Sequence, residues 1–122
     1  MRFTQDSSSA PLLIRAYRAG ELRINDDVHR GTVIVSASRV VSLPEVKDPN
    51  DLAQVDPSQL LAQDPELILL GTGPRQIFPA ASFSAQFLSA GIGFEAMDTG
   101  AACRTFNVLV AEQRRVVALL MV

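Results

Sequence analysis

Short runs of β-branched and aliphatic residues dominate the first third of the chain. Residues 12–17 and 21–24 flank Ala19-Gly20, a pair typical of a hairpin turn. Residues 32–35 and 40–43 are rich in valine and isoleucine, which favour strands. We therefore predict an N-terminal β-hairpin followed by two more short strands.

Residues 44–65 interrupt this pattern with prolines and with acidic side chains against a single lysine, Lys47. Such a composition is typical of a surface loop, and we interpret the acids as a solvated rim. Within the loop, Asp56 is predicted to cap one short helix that begins at Pro57 and turns Leu60 and Leu61 towards the core.

Strands and helices alternate in the rest of the chain. Residues 67–70 form a continuous apolar run, as expected of a strand that is covered on both faces. A helix is predicted for residues 79–90, with Phe83 and Phe87 four positions apart on one face. Residues 92–97 form the next predicted strand.

The last predicted helix begins after this strand, with Asp98 or Thr99 as its cap. Its apolar stripe consists of Ala102, Phe106, Leu109 and Val110. Residues 115–121 form the closing strand. Strand–helix–strand units join parallel strands by right-handed crossovers. We therefore predict a three-layer α/β domain with a mixed, mostly parallel central sheet, an N-terminal β-hairpin and helices packed on the sheet.

The composition restricts the classes of function. With 122 residues, 48% of them hydrophobic, the chain is predicted to form a single soluble domain with residues 1–10 as a flexible tail. A net charge of −2 and scattered arginines argue against nucleic-acid binding. We predict no membrane insertion, because no apolar run approaches the ~20 residues of a membrane helix. No secretory signal or mitochondrial presequence is evident, and the single cysteine favours a cytoplasmic location.

Cys103 and His29 are each the only residue of their type. A histidine–cysteine metal site is therefore excluded, and we predict no metal, no cofactor and no catalytic residue. His29 follows Asp26 and Asp27, but we place all three in a surface loop between strands. Cys103 lies in the first turn of a predicted helix, where the dipole can favour a thiolate. Without a second cysteine, we interpret it as a buried structural thiol.

Two glycine-containing turns form the candidate site. The turns at residues 71–73 and 98–100 each follow a predicted strand, and ligands of open α/β sheets bind beyond such strand ends. The second turn leads into a helix N-terminus, whose N–H groups favour a phosphate or carboxylate. Arginines nearby can add charge-assisted hydrogen bonds. The candidate ligand-binding residues are Gly71, Thr72, Gly73, Arg75, Asp98, Thr99, Gly100, Arg104 and Thr105.

These turns match no complete nucleotide-binding motif. The stretch at residues 71–73 lacks the Gly-Lys-Ser/Thr of a Walker loop and the third glycine of the dinucleotide fingerprint. The alternative is that the glycines only make tight turns and that Arg104 pairs with Asp98 or Glu95. Glu95 is predicted to be a buried acid in the middle of a strand, where it would need a partner such as Arg104.

Four stretches of the chain resemble a known family. They are residues 69–73, 78–79, 91–99 and 102–109, which read LLGTG, FP, GIGFEAMDT and ACRTFNVL. The family is that of the mitochondrial NADH dehydrogenase complex I assembly factor 3, with related adipogenesis-associated proteins and many bacterial and archaeal members. The resemblance implies a compact three-layer α/β fold whose mixed sheet has one strand antiparallel to the rest, and no established enzymatic activity. The mitochondrial member has a presequence, and we predict none for this chain.

Two hypotheses of function follow. The resemblance and the lack of a complete catalytic constellation favour a non-enzymatic binding or assembly module whose partner is another protein. The alternative is a binder, or an enzyme, of a small anionic ligand in the crevice between the two turns.

Overall fold

The computed structural model of this chain describes residues 10–122, so the predicted flexible tail lies outside the described residues except for Ala10. The strands are β1 (Ile14–Arg18), β2 (Glu21–Ile24), β3 (Asp27–His29), β4 (Val33–Val35), β5 (Val40–Ser42), β6 (Leu67–Thr72), β7 (Gly93–Met97) and β8 (Val116–Met121). The helices are a 3-10 helix (Pro49–Gln54), α1 (Pro57–Leu61), α2 (Ala81–Leu88) and α3 (Thr99–Ala111).

The central sheet contains five strands in the order β5-β4-β8-β6-β7. β6 pairs in parallel with both β7 and β8, whereas β4 pairs antiparallel with both β5 and β8. β4 therefore runs opposite to the other four strands. This arrangement confirms the predicted mixed, mostly parallel sheet and the single antiparallel strand that the resemblance implied.

The first three strands form a separate antiparallel sheet in the order β1-β2-β3. The predicted hairpin of β1 and β2 is confirmed, but the prediction of a loop for Asp26, Asp27 and His29 is wrong in part. Asp27–His29 is a third strand, whose His29 lies opposite Leu22 of β2. This short edge strand carries no alternating apolar pattern, so it could not be predicted from hydrophobic periodicity.

Side chains of the central strands alternate between two cores, one on each face of the sheet. Leu69 and Leu120 face α3 and the three-stranded sheet, whereas Ile68 and Leu70 face α2, α1 and the 3-10 helix. Each such buried aliphatic side chain stabilises the fold by roughly 1.5–3 kcal/mol relative to an exposed one. The fold consequently has three layers, with the five-stranded sheet in the middle.

The helices follow their predicted patterns with a few differences at their ends. Phe83 and Phe87 are buried on one face of α2, and their ring centroids lie 5.3 Å apart. Asp56 caps α1 as predicted, since its carboxylate accepts a hydrogen bond from the Ser58 N–H. Leu60 is buried, but Leu61 is 40% exposed, so its predicted core position is wrong. Adjacent residues of a helix lie about 100° apart, and α1 turns Leu60 towards the core and Leu61 towards solvent.

Residues 44–65 contain more structure than the one helix predicted for them. The unpredicted 3-10 helix has a capping box, in which the Asp48 carboxylate accepts from the Asn50 N–H and the Asp51 carboxylate accepts from the backbone N–H of Asp48. Its Leu52 is buried against the core on the α2 side. This loop therefore covers part of the sheet rather than only lying on its surface.

Candidate functional site: two turns and an adjacent cavity

The two predicted turns lie side by side, because β6 and β7 are neighbouring parallel strands. Gly71 of β6 lies opposite Met97 of β7, and the backbone N–H of Thr99 donates a 2.8 Å hydrogen bond to the carbonyl of Gly73. Asp98 caps α3 as predicted, since its carboxylate accepts a 2.9 Å hydrogen bond from the Ala101 N–H. The predicted adjacency of residues 71–73 and 98–100 is thus what the structure shows.

The space between the turns is filled by the side chain of Thr99, which is completely buried. Its hydroxyl accepts a 2.7 Å hydrogen bond from the Gly73 N–H and donates to the carbonyl of Met121 at the end of β8. A Cβ atom on Gly71 would lie 2.9 Å from this hydroxyl, so only glycine permits the close approach of α3. A ligand therefore finds no room between the turns.

The loop after β6 is organised by the hydroxyl of Thr72. This group donates a 2.6 Å hydrogen bond to the carbonyl of Arg75 and accepts a 3.0 Å bond from the Ile77 N–H. Gly73 has a φ of +91°, a conformation that favours glycine. The residues therefore shape a tight turn, as the alternative interpretation held, and the Arg75 side chain is exposed on its surface.

Arg104 makes no ion pair with any carboxylate in residues 10–122. The predicted pairing with Glu95 is wrong, and Glu95 itself is exposed rather than buried. It belongs to β7, an edge strand, where an acidic side chain stays in water without a partner. Thr105, the residue after Arg104 in α3, is half-buried, and its hydroxyl contacts the sulfur of Met97 at 3.7 Å.

A cavity of about 260 Å³ lies beside the turns, between β1 and the first turns of α3. Its lining includes Gly100 and Arg104 of the predicted site, together with Arg15 and Tyr17 of β1. Arg75 does not line this cavity, so the structure does not bring together all the predicted ligand-binding residues. The contribution of β1 to the wall of this cavity was not predicted, because β1 and α3 are more than eighty residues apart in the sequence.

The amide of Asn107 attaches β1 to α3. Its oxygen accepts a 2.9 Å hydrogen bond from the Ile14 N–H, and its nitrogen donates a 2.8 Å bond to the Ile14 carbonyl. Asparagine is unfavourable in a helix interior, so Asn107 within residues 104–107 was the one indication in the sequence that this side chain bonds to another element. The two hydrogen bonds fix the width of the cavity between β1 and α3.

The titratable groups behind the cavity stay protonated at neutral pH. Burial raises the pKa of the Cys103 thiol to about 12, against the opposing influence of the Arg104 guanidinium. Burial also raises the pKa of Tyr17, whose hydroxyl oxygen is inaccessible to solvent and has no hydrogen-bond partner in the described part of the chain. Cys103 is buried, which agrees with its interpretation as a structural thiol.

Comparisons with known proteins assign the family. Residues 14–121 match the family model described as a protein of unknown function, DUF498/DUF598. The chain belongs to this family. A DUF498 relative from Francisella tularensis subsp. holarctica, called a 13 kDa major membrane protein, is 32% identical over 119 residues, which are 95% of both chains.

Solved structures agree with the DUF498 assignment. A crystal structure of a Bordetella parapertussis protein is similar, with a TM-score of 0.81 and 36% identity over 92% of this chain and 96% of that one. A solution structure from Bordetella pertussis, described as a Mth938-like domain, has a TM-score of 0.74 and 34% identity, and covers 99% of this chain and 92% of that one. The family resemblance is thus confirmed for its bacterial members, and the link to complex I assembly factor 3 stays a prediction.

The descriptions of these relatives specify no reaction. The longest helix in residues 10–122 has 13 residues, and no helix in that range has the length and apolar character needed to cross a bilayer. No group of three or more histidine, cysteine or acidic side chains in the same range could hold a metal ion.

Proposed function

We propose that this DUF498 protein is a non-enzymatic binding or assembly module that acts through contacts with another protein. The observation that carries the proposal is the exposure of Phe78, whose side chain is 77% accessible on the loop between β6 and α2. Transfer of a phenylalanine side chain from water to an apolar environment is worth roughly 1.5–3 kcal/mol. A partner that covers Phe78 gains this energy on binding.

Two grooves flank Phe78 and make the surface around it concave. One, of about 400 Å³, lies between the 3-10 helix and α2 and is lined by Leu52, Ile77 and Phe83 among others. The other, of about 480 Å³, lies between α2 and β7 and is lined by Phe94 and Ala96. Both grooves share Phe78 and Pro79, so the apolar surface is continuous. Aromatic anchors beside such pockets are typical of the energetic centres of protein interfaces.

The edge of the central sheet borders the second groove. β7 is the last strand of the sheet, so the backbone groups of Phe94 and Ala96 that point away from β6 pair with no strand in residues 10–122. The side chain of Gln76 donates a 2.8 Å hydrogen bond to the Ala96 carbonyl and covers part of this edge. An extended segment of a partner could pair with the remainder, a common mode of peptide recognition.

Phe78→Ser is expected to weaken binding of the partner by about 2 kcal/mol, or roughly thirtyfold, because it removes the buried anchor. The measurement is affinity purification of tagged wild-type and variant protein from the native host, with quantitative mass spectrometry. Partners enriched by the wild type are then made recombinantly and titrated against both forms.

Val108→Ser is the matched control, because Val108 is 56% exposed on α3 and lines neither groove. Both variants should keep the thermal midpoint of the wild type, since each replaces an exposed side chain. The proposal fails if no protein is enriched above background, or if both variants bind the enriched protein as the wild type does.

We propose the cytoplasm as the place of action, because the only cysteine is an unpaired thiol, typical of reducing compartments. The name of the Francisella relative refers to a membrane, so cell fractionation is the relevant experiment. After lysis without detergent and ultracentrifugation, the protein is expected in the supernatant, with an integral membrane protein in the pellet as control. Recovery in a salt-washed pellet would contradict this location.

A further inference from the structure

Two arginines without a carboxylate partner in the described residues line the cavity between β1 and α3. Arg15 and Arg104 both line it, both are exposed, and neither lies within ion-pair distance of a carboxylate in the described residues. They come from elements that meet only in the folded state. By contrast, Arg114 and Arg115 at the other end of the sheet pair with Glu66 and Asp64.

A β-bulge places Arg15 at this rim. Ile14 pairs with Ile24 and Ala16 pairs with Arg23, so Arg15 is an extra residue without an opposite partner on β2. The bulge shifts the alternation of β1, and Ile14 and Tyr17 consequently pack against the same core although they are three residues apart. Bulges of this kind often redirect a side chain beside a functional site.

Gly100 forms the part of the wall where α3 begins. The Oδ1 atom of Asp98, the Nη1 atom of Arg104 and the Cδ2 atom of Tyr17 lie 3.3 Å, 3.5 Å and 3.7 Å from the position that a Cβ atom would occupy on Gly100. Because glycine has no side chain, the guanidinium lies over the start of α3. The positive end of the helix dipole acts in the same direction as the two arginines.

We propose that this cavity binds a phosphate group, with the guanidinium groups of Arg15 and Arg104 as its ligands. Guanidinium donors match the oxygens of phosphate in a planar, two-pronged geometry. The volume of about 260 Å³ is below the ~300–1,000 Å³ of sites for drug-sized ligands, which favours a phosphate ion or a small phosphate ester over a nucleotide. The Asp98 carboxylate lies beside this site, where it accepts a hydrogen bond from the Ala101 N–H. Its negative charge opposes an anion, and the two arginines together exceed it by one positive charge.

The inference is independent of the protein-contact function, because the phosphate cavity and the grooves around Phe78 share no lining residue.

Inorganic phosphate is titrated into isotopically labelled protein at constant ionic strength, while the backbone amide signals of Gly100 and Arg104 are followed by NMR. These signals are expected to shift along a saturable curve. A parallel titration with phenyl phosphate distinguishes a phosphate ester from the free ion, since tighter binding indicates that the cavity also holds the organic group.

Arg15→Gln and Arg104→Gln are each expected to raise the dissociation constant roughly tenfold or more, because each removes a charge-assisted hydrogen bond. Arg75→Gln, an exposed arginine outside the cavity, is the matched control and should leave the constant unchanged. Arg15→Lys and Arg104→Lys should each retain more affinity than the glutamine variants, since lysine keeps the charge but loses the planar fork. Shifts that grow linearly with phosphate, or that persist in the double variant Arg15→Gln/Arg104→Gln, would overturn the proposal.

Discussion

Phe106→Ala is expected to lower the free energy of unfolding by about 3–5 kcal/mol, the range for truncating a large buried aromatic side chain. Phe106 is completely buried on α3, in the core shared by α3, the three-stranded sheet and the central sheet. Three elements would therefore border the resulting void. Native domains are stable by only about 5–15 kcal/mol, so the variant should be close to unfolding at moderate denaturant concentrations. Equilibrium unfolding in urea, followed by circular dichroism, measures the difference.

Val108→Ala is the control for this experiment, because it shortens a side chain on the same helix at a position that is 56% exposed. It is expected to change the free energy of unfolding by less than about 0.5 kcal/mol. Similar losses in the two variants would mean that α3 does not bury the face on which Phe106 lies. A native-like stability of Phe106→Ala would contradict the three-layer packing itself.

Local patterns predicted the three inner strands of the central sheet because β4, β6 and β8 are apolar on both faces. Ile68 and Leu70 contact one core while Leu69 contacts the other, so the run of aliphatic residues in β6 reflects burial on both sides. β3 could not be found in this way, since Val28 is exposed and the strand pairs only at the edge of its sheet. A strand that forms mainly by pairing with its neighbour, and not by burial of its side chains, shows little hydrophobic pattern in its own sequence.

The candidate site was predictable in its position but not in its packing. Neighbouring parallel strands place their following turns at one edge of the sheet, which is why residues 71–73 and 98–100 meet. Whether the gap between them stays open depends on Thr99, whose hydroxyl bonds to Met121 at the far end of the chain. The bulge at Arg15 likewise depends on pairing with β2. Both features arise from tertiary contacts that periodicity does not encode.

The two proposed binding surfaces lie on opposite faces of the central sheet. Phe78 adjoins α2 and the 3-10 helix, whereas Arg15 and Arg104 adjoin α3 and the three-stranded sheet. Substitutions of residues on opposite faces of a sheet, without shared neighbours, usually have additive effects on free energy. A variant in one surface therefore leaves the other intact, and titration of the partner protein with and without phosphate can show whether a bound phosphate group changes the affinity for the partner.

Thr99→Val is expected to lower the free energy of unfolding by about 2–4 kcal/mol, because two buried backbone groups lose their partner at once. The Thr99 hydroxyl joins the N–H of Gly73 to the carbonyl of Met121, and so connects the ends of β6 and β8 to the start of α3. Valine has nearly the same volume as threonine, but its methyl group takes the place of an oxygen that lies at hydrogen-bond distance from Gly73 and Met121, so some crowding adds to the lost hydrogen bonds. The loss therefore reports the hydrogen bonds and this crowding rather than a void, and chemical denaturation measures it.

Thr99→Ser separates the two contributions of this side chain. It keeps the hydroxyl and removes one methyl group, so its expected cost is only about 1 kcal/mol. A larger loss for valine than for serine would establish that the hydroxyl holds the two turns together and closes the space between them. If serine were the more damaging substitution, packing of the methyl group would dominate, and the junction of β6, β8 and α3 would be maintained by shape alone.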